Sequence, residues 1–453
     1  MISFIRRFKE EWRGKYLFIL LIFFLILGLK EVHFLYLALE RNLSLKYIFA
    51  GSCVLISLMF TPIRPFIGII VYYLLVYLFP MGGFGFSRTV TLTTLFGWLI
   101  WAIKNKRYKL VKAKQNYFIL GLWMMMLISV IFASNKISGW ESLESISKVF
   151  FFYFAAINFI DSKRDLKCVI WTILFIFGFL SLDVDASYLL KGISYLGGAG
   201  SGDNNLFALS LVMTIPFAFY FFLVEKSPVK KGILALLFPS MILATILTFS
   251  RGGFLGLSAV LGLIWIKNKY KFISLFIGSF LIIIVGLFFL PEGYKDRIYT
   301  ILEYRQDDSA MGRISAWEAG WEMIKNRPLV GVGLGNFSSL SHKYNPQAPE
   351  GIEPHNSFIQ IASENGLIAL LFFLLLPISS VWDLWRVRKK FAHTQKGRWI
   401  VPITNMLEVG LCGYVVSGSF LHEAHMPLFY LFIALSVVVK QIAERDKNNK
   451  SFY

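Results

Sequence analysis

Long apolar runs separated by short polar breaks dominate this chain, and their spacing predicts helices that cross a membrane. Stretches such as residues 233–247, 272–290 and 367–378 recur along the whole length. A spanning helix needs about 20 mainly apolar residues, so the shorter cores must take in flanking Gly, Ser and Thr. The predicted spans are 16–37, 45–60, 66–80, 90–103, 117–133, 147–160, 168–182, 205–223, 233–249, 254–266, 272–290, 356–378, 399–420 and 426–440. Lys30, Glu31 and His33 interrupt the first of them. No small-residue cleavage site follows that run, so it is expected to stay as an anchor. The fold class that follows is an all-α polytopic membrane protein of about 12–14 transmembrane helices. Its large polar interruption, residues 291–355, is expected to form an extracytoplasmic loop containing short helices.

Composition agrees, with 56% hydrophobic residues against about 45–50% in soluble domains. Forty-six Lys and Arg against 27 Asp and Glu give a net charge of +19. In a soluble protein that excess would suggest nucleic acid. Here the cations fall in groups at 6–15, 104–114, 163–167, 226–231, 267–271, 386–398 and 440–450. Such groups mark alternate loops, as cytoplasmic loops of membrane proteins require, and no nucleic-acid partner is expected. Both termini then lie inside. Residues 134–147, 183–204, 250–253, 291–355 and 421–427 lie on the opposite face. Cys53, Cys168 and Cys412 show neither disulfide nor metal spacing.

That opposite face gathers the candidate chemistry. Ile314, Trp317, Trp321 and Ile324 recur as one stripe of a helix, with Arg313 at its edge. An arginine turned toward protein or bilayer needs an anionic partner, whether a substrate phosphate, a structural carboxylate or a lipid headgroup. Pro328 ends that helix. Gly331, Gly333 and Gly335 then make either a phosphate cradle or a plain turn, and Asn336 is placed to cap a short helix through Tyr344. His355 precedes Asn356 and Ser357 at the start of the next span. The helix dipole, Arg251 and Arg313 would all favour its neutral imidazole. It would act either as a base toward a hydroxyl or as an interfacial cap. Arg251, in the Ser250-Arg251-Gly252-Gly253 break, offers a planar fork suited to diphosphate oxygens or to headgroups. Asp203-Asn204-Asn205 reads more readily as a helix cap than as a sugar site. His422-Glu423-Ala424-His425 lacks a further ligand set for a metal.

In order and spacing these segments resemble the O-antigen ligase and polymerase superfamily. The resemblance rests on Ser250-Arg251-Gly252-Gly253, Gly312-Arg313 with Trp317, the run from Pro328 to Phe337, His355-Asn356-Ser357 and Glu364-Asn365-Gly366, together with Asp203-Asn204-Asn205. It covers roughly residues 195–440, and so implies two regions: N-terminal transmembrane helices over 1–194, and an O-antigen ligase-like transmembrane region over 195–453 that includes the loop 291–355. It implies a membrane glycosyltransferase without metal or other cofactor, working at the periplasmic face of a bacterial inner membrane. The donor would be a glycan on undecaprenyl diphosphate. The implied roles are His355 as catalytic base and Arg251 and Arg313 as diphosphate ligands. Asn356, Asp203, Asn205, Trp317, Gly333 and Asn336 would support them. The favoured acceptor is a lipid A-core hydroxyl, which makes an O-antigen ligase. A second lipid-linked glycan would make a polymerase, and a protein hydroxyl an O-oligosaccharyltransferase. Ala369 stands where the ligase branch often has a glycine. From a different class, a lipid-linked sugar flippase would want charges at the bilayer midplane and repeated halves; neither is visible.

Overall fold

A computed structural model describes residues 45–79, 86–106, 110–191, 203–267 and 308–445. The predicted spans 16–37 and 272–290, and the loop from 291 to 307, lie outside the described residues. The described residues form fifteen helices and no strand. The first six are α1 (Leu45–Phe60), α2 (Phe66–Leu78), α3 (Phe86–Asn105), α4 (Lys114–Ile131), α5 (Lys136–Phe159) and α6 (Lys163–Lys191). Next come α7 (Asn204–Val224), α8 (Pro228–Leu247), α9 (Arg251–Lys267), α10 (Asp308–Asn326) and α11 (Phe337–Tyr344). The chain closes with α12 (Ser357–Asn365), α13 (Leu367–Phe391), α14 (Gly397–Gly418) and α15 (Pro427–Arg445). Eight of these are long and apolar enough to cross a membrane, and two shorter apolar helices accompany them. Helices are what a lipid-embedded chain must form, because each backbone amide there needs a partner within its own segment. The protein is an all-α polytopic membrane protein.

Three expectations are corrected. The predicted span 356–378 is two helices, α12 and α13, broken at Gly366. That glycine has φ +86°, and a Cβ there would lie 2.2 Å from the Leu329 carbonyl oxygen. The chain bends to let the turn after α10 pass, and Leu367 N donates to Pro328 O (2.7 Å). Second, residues 134–147 are mostly the first turns of α5 rather than loop. Third, α6 runs on to Lys191, well into the expected loop 183–204.

The chain divides into two compact units, Met1–Lys112 with Phe151–Thr172, and Ala113–Phe150 with Ile173–Tyr453. In the first, small and hydroxyl residues let helices approach closely, the packing mode that works in lipid. Gly68 sits against Thr94 and Gly97 against Thr61, while the Ser57 and Thr93 hydroxyls share a hydrogen bond of 3.1 Å. Tyr72 stacks on Phe152 at 3.7 Å, and Arg64 pairs with the buried Asp165.

The second unit holds every candidate residue. Its centre is α7, apolar on all sides and buried from Phe207 to Phe221 except at Phe219. Such a helix belongs in the middle of a bundle. Glycines on its neighbours bring backbones together. Gly413 packs against Val212 and Val260, and Gly256 against Val212 and Ser417. The far end of the unit is basic. Glu408, on α14, accepts from Lys267 of α9 (2.6 Å) and from Arg388 of α13. Asp383 likewise gathers Lys114 (3.2 Å), Lys440 (3.3 Å) and Gln115 (3.1 Å). At the opposite end lie the starts of α7, α9, α13 and α15 and the end of α14.

Candidate active site

The site is organised by the turn between α14 and α15. Ser357 Oγ donates to Leu421 O (2.7 Å) and accepts from Glu423 N (3.0 Å), while Asn356 Nδ2 donates to Ser419 O (2.9 Å). The same turn reaches α9. Ser417 Oγ donates to Gly252 O (3.0 Å), and a Cβ on Gly252 would meet Leu421 at 3.0 Å. Glycine at 252 thus lets the start of α9 approach the turn closely, and a larger residue would require Leu421 and Phe420 to shift by a few tenths of an ångström. Asn205 accepts from Ser250 Oγ (2.8 Å), and Asp203 caps α7 by accepting from Asn205 N (2.7 Å). The start of α7 and the Arg251 break are thereby tied together. The capping reading of Asp203 holds.

His355 stands at the middle of this lattice. Its φ of +42° is in the left-handed region, which costs a residue with a Cβ about 1–2 kcal/mol. Neighbours on both sides fix that conformation. Trp317 Nε1 donates to Pro354 O (2.9 Å), and Asn356 caps α12 by accepting from Phe358 N (2.9 Å) and Ile359 N (3.1 Å). The cap is thus Asn356, not His355. Opposite His355 lies His422, with the two Nδ1 atoms 3.3 Å apart and the rings edge to face at 4.9 Å. The His355 imidazole is held neutral, its pKa lowered to about 4. Burial contributes most, then His422, then Arg313; Asp203 pulls the other way. The sequence expectation of a neutral imidazole, with Arg313 among its causes, agrees with this; burial and His422 are not among the causes it names. Carboxylates flank the same place. Glu423 is raised to about 8 by burial, then by Asp203 and Glu353.

The predicted stripe on α10 is rotated. Trp321 is exposed, and the buried face runs through Ala316, Ala319, Gly320, Met323 and Ile324. The reason is size: a Cβ on Gly320 would lie 2.4 Å from Ile359, so only small residues allow α10 to seat on α12. Trp317 remains half-buried and Arg313 one turn before it is partly exposed.

Two supporting residues have gone elsewhere. Gly333 has φ +117°, a Cβ there would strike Ala133, and its N–H donates to Glu364 O (3.1 Å). Asn336 makes no side-chain cap. Its amide bonds Asn135 N (2.7 Å) and O (3.1 Å) in the turn between α4 and α5. The acceptor facing the N–H groups at the start of α11 is the buried Glu364 carboxyl group, which accepts from Phe337 N (3.1 Å). The glycine-rich turn thus binds a protein carboxyl group where a phosphate cradle was one of its two expected uses. Among the described residues no group of three or more His, Cys, Asp or Glu is arranged to hold a metal ion. His422 was open to detection: topology alone puts residues 421–427 on the face that carries His355.

At one end of this polytopic helical bundle lie the His355–His422 pair, the start of α9 with Arg251, and α10 with Arg313. Residues 235–374 match the family described as O-Antigen ligase, a segment containing Arg251, Arg313 and His355. That match covers under a third of the chain, and it takes in the turn after α10, α11 and α12 as well as the start of α9. An O-antigen ligase of Salmonella typhimurium is 26% identical over 37% of this chain and 43% of its own length. The exopolysaccharide production protein ExoQ of Rhizobium meliloti is 28% identical over 41% and 46%. An uncharacterized protein of Haemophilus influenzae is 24% identical over 52% and 62%. The chain thus spans less than two thirds of each of these relatives.

Proposed function

We propose that this protein is an O-antigen ligase, an enzyme that transfers a glycan from undecaprenyl diphosphate to a hydroxyl of the lipid A core. The region 195–453 would carry the reaction at the periplasmic face of the inner membrane, with both termini cytoplasmic. The observation that carries the reading is the half-buried His355, fixed between the Trp317–Pro354 hydrogen bond and the Asn356 cap with His422 against its ring. A hydroxyl is a poor nucleophile, and a fixed neutral imidazole can take its proton as the bond to sugar forms. In the step, the acceptor O–H breaks toward His355 and the oxygen attacks the anomeric carbon. The bond to the diphosphate oxygen breaks with its electron pair. Arg251 and Arg313 would meet the charge that grows on the leaving diphosphate, a task their guanidinium forks suit without a metal ion. One displacement inverts the anomeric centre. Membrane lipids surround the bundle, and the donor enters among them.

Similarity to the exopolysaccharide protein and the buried Ala369 favour one second reading, a polymerase whose acceptor is another lipid-linked repeat. Purified protein in detergent with chelator, supplied with undecaprenyl-diphosphate-linked oligosaccharide and lipid A core, distinguishes the two. A ligase gives glycosylated lipid A core. A polymerase lengthens the lipid-linked glycan with or without it. His355→Ala should abolish either product, and full activity in that variant would end the reading.

A further inference from the structure

His355 is only half of an imidazole pair. Its Nδ1 lies 3.3 Å from Nδ1 of His422, a distance that holds one proton between the two nitrogens. The contact is built rather than incidental, because the residues on either side of His422 are latched to the start of α12. Leu421 O accepts from Ser357 Oγ, and Glu423 N donates to that same hydroxyl. Tyr414 OH donates to Glu423 O (3.0 Å) from within α14. His422 is thereby fixed relative to the helix that carries His355.

Resting on the glycosyl-transfer reading above, we propose that His422 is the positioning residue for His355. Its Nδ1 accepts the Nδ1–H of His355, which fixes the tautomer that leaves Nε2 of His355 free to take the acceptor's proton. A base must present an unprotonated nitrogen to the hydroxyl, and the hydrogen bond made by the other nitrogen decides which one that is. When Nε2 gains its proton, His355 becomes an imidazolium, and the His422 lone pair faces the Nδ1–H that now carries positive charge. His422 occupies the place a carboxylate takes in hydrolase triads, but as a neutral acceptor. A neutral acceptor stabilises the imidazolium less than a carboxylate would, and so leaves His355 unprotonated at neutral pH. The charged groups acting on His355 are Arg313 on α10 and Asp203 at the start of α7; Asp203 and Glu353 also act on Glu423, and His425 faces His422 from the same turn.

Three variants test the assignment. His422→Phe keeps the ring shape and removes the acceptor, and should lower kcat on the order of 100-fold with donor KM unchanged. His422→Gln offers an amide oxygen in its place and should stay within about tenfold of the parent. His422→Asp puts a carboxylate against Nδ1 and should raise the acid limb of the pH–rate profile by about one to two units. A readout without turnover accompanies these: carbethoxylation of His355 by diethylpyrocarbonate in the resting protein, followed by mass spectrometry across pH. In His422→Asp, His355 should lose reactivity at a higher pH than in the parent. If the parent forms no product from any donor and acceptor, the transfer reading fails while the modification profile still reports on the pair. Equal activity of the Phe and Gln variants, whether both full or both lost, overturns the proposal. So does an unmoved His355 modification profile in His422→Asp.

Discussion

At the scale of single residues, the site depends on keeping one imidazole neutral. Burial, His422 and Arg313 hold the His355 pKa at about 4, below the 6.5 of a free histidine. The neutral form that accepts a proton is thus present from neutral pH down to mild acid and is lost as pH falls through about 4. The product formation rate should be flat between about pH 5 and 7 and fall below that. An acid limb centred above pH 6 would mean the imidazole is solvated, contrary to the geometry. Arg251→Lys tests a different property. Lysine keeps the charge but loses the planar fork, so transfer should drop at least about tenfold if two oxygens of a diphosphate are gripped together. Normal turnover in that variant would rule out bidentate binding by Arg251. The candidate residues Arg251, Arg313 and His355 stand out in the sequence because arginine and histidine are conspicuous at the ends of apolar runs. The contacts of Gly333 and Asn336 were not legible, since a backbone amide can face a phosphate or a carboxylate and the sequence does not say which.

At the scale of elements, the Gly-rich turn, α11 and α12 form one assembly around Glu364. Its carboxylate accepts from Phe337 N, its backbone oxygen accepts from Gly333 N and from Ser129 Oγ (2.5 Å), and Ser363 O accepts from Val332 N. Burial raises its pKa from 4.5 to about 7, against the opposing pull of the amides of Phe337, Gly335 and Asn336. A raised pKa means the folded state favours the protonated acid. That contribution to stability is complete below about pH 4.5 and is lost as pH rises through about 7. Glu364→Gln keeps an acceptor for Phe337 N and cannot ionise, so it should fold normally and flatten thermal stability between pH 5 and 8. Glu364→Ala should destabilise by about 1–3 kcal/mol through the stranded amide. Thermal unfolding in detergent across that range checks both, and a Gln variant with the parent's pH dependence would assign the titration elsewhere. The helices themselves were readable from apolar run length, and α11 was expected at the residues where it occurs. The break at Gly366 was not readable, because residues 356–378 are apolar enough to be taken as one span. Only the backbone of Leu329, distant in sequence, forces the bend.

Across the whole molecule, the two ends of the second unit carry different electrostatic designs. One carries the histidine pair and the elements that bear Arg251 and Arg313. The other satisfies cations internally, with Lys267 and Arg388 converging on Oε2 of the buried Glu408 and Asn405 accepting from Arg388 (2.9 Å). These contacts join α9, α13 and α14, the helices whose opposite ends carry Arg251, the α12–α13 bend and the His422 turn. Holding the basic ends together therefore fixes where the other ends converge. Removing Glu408 alone would leave two cations facing each other in a poorly solvated place, and Glu408→Ala should destabilise by about 3–5 kcal/mol. If the node serves alignment only through packing, an apolar replacement of the whole set should restore stability. The variant with Lys267→Met, Arg388→Met and Glu408→Leu should unfold within a few degrees of the parent and retain transfer activity. A triple variant that stays as unstable as Glu408→Ala would show that the charges, rather than the volume they fill, hold these three helices in register.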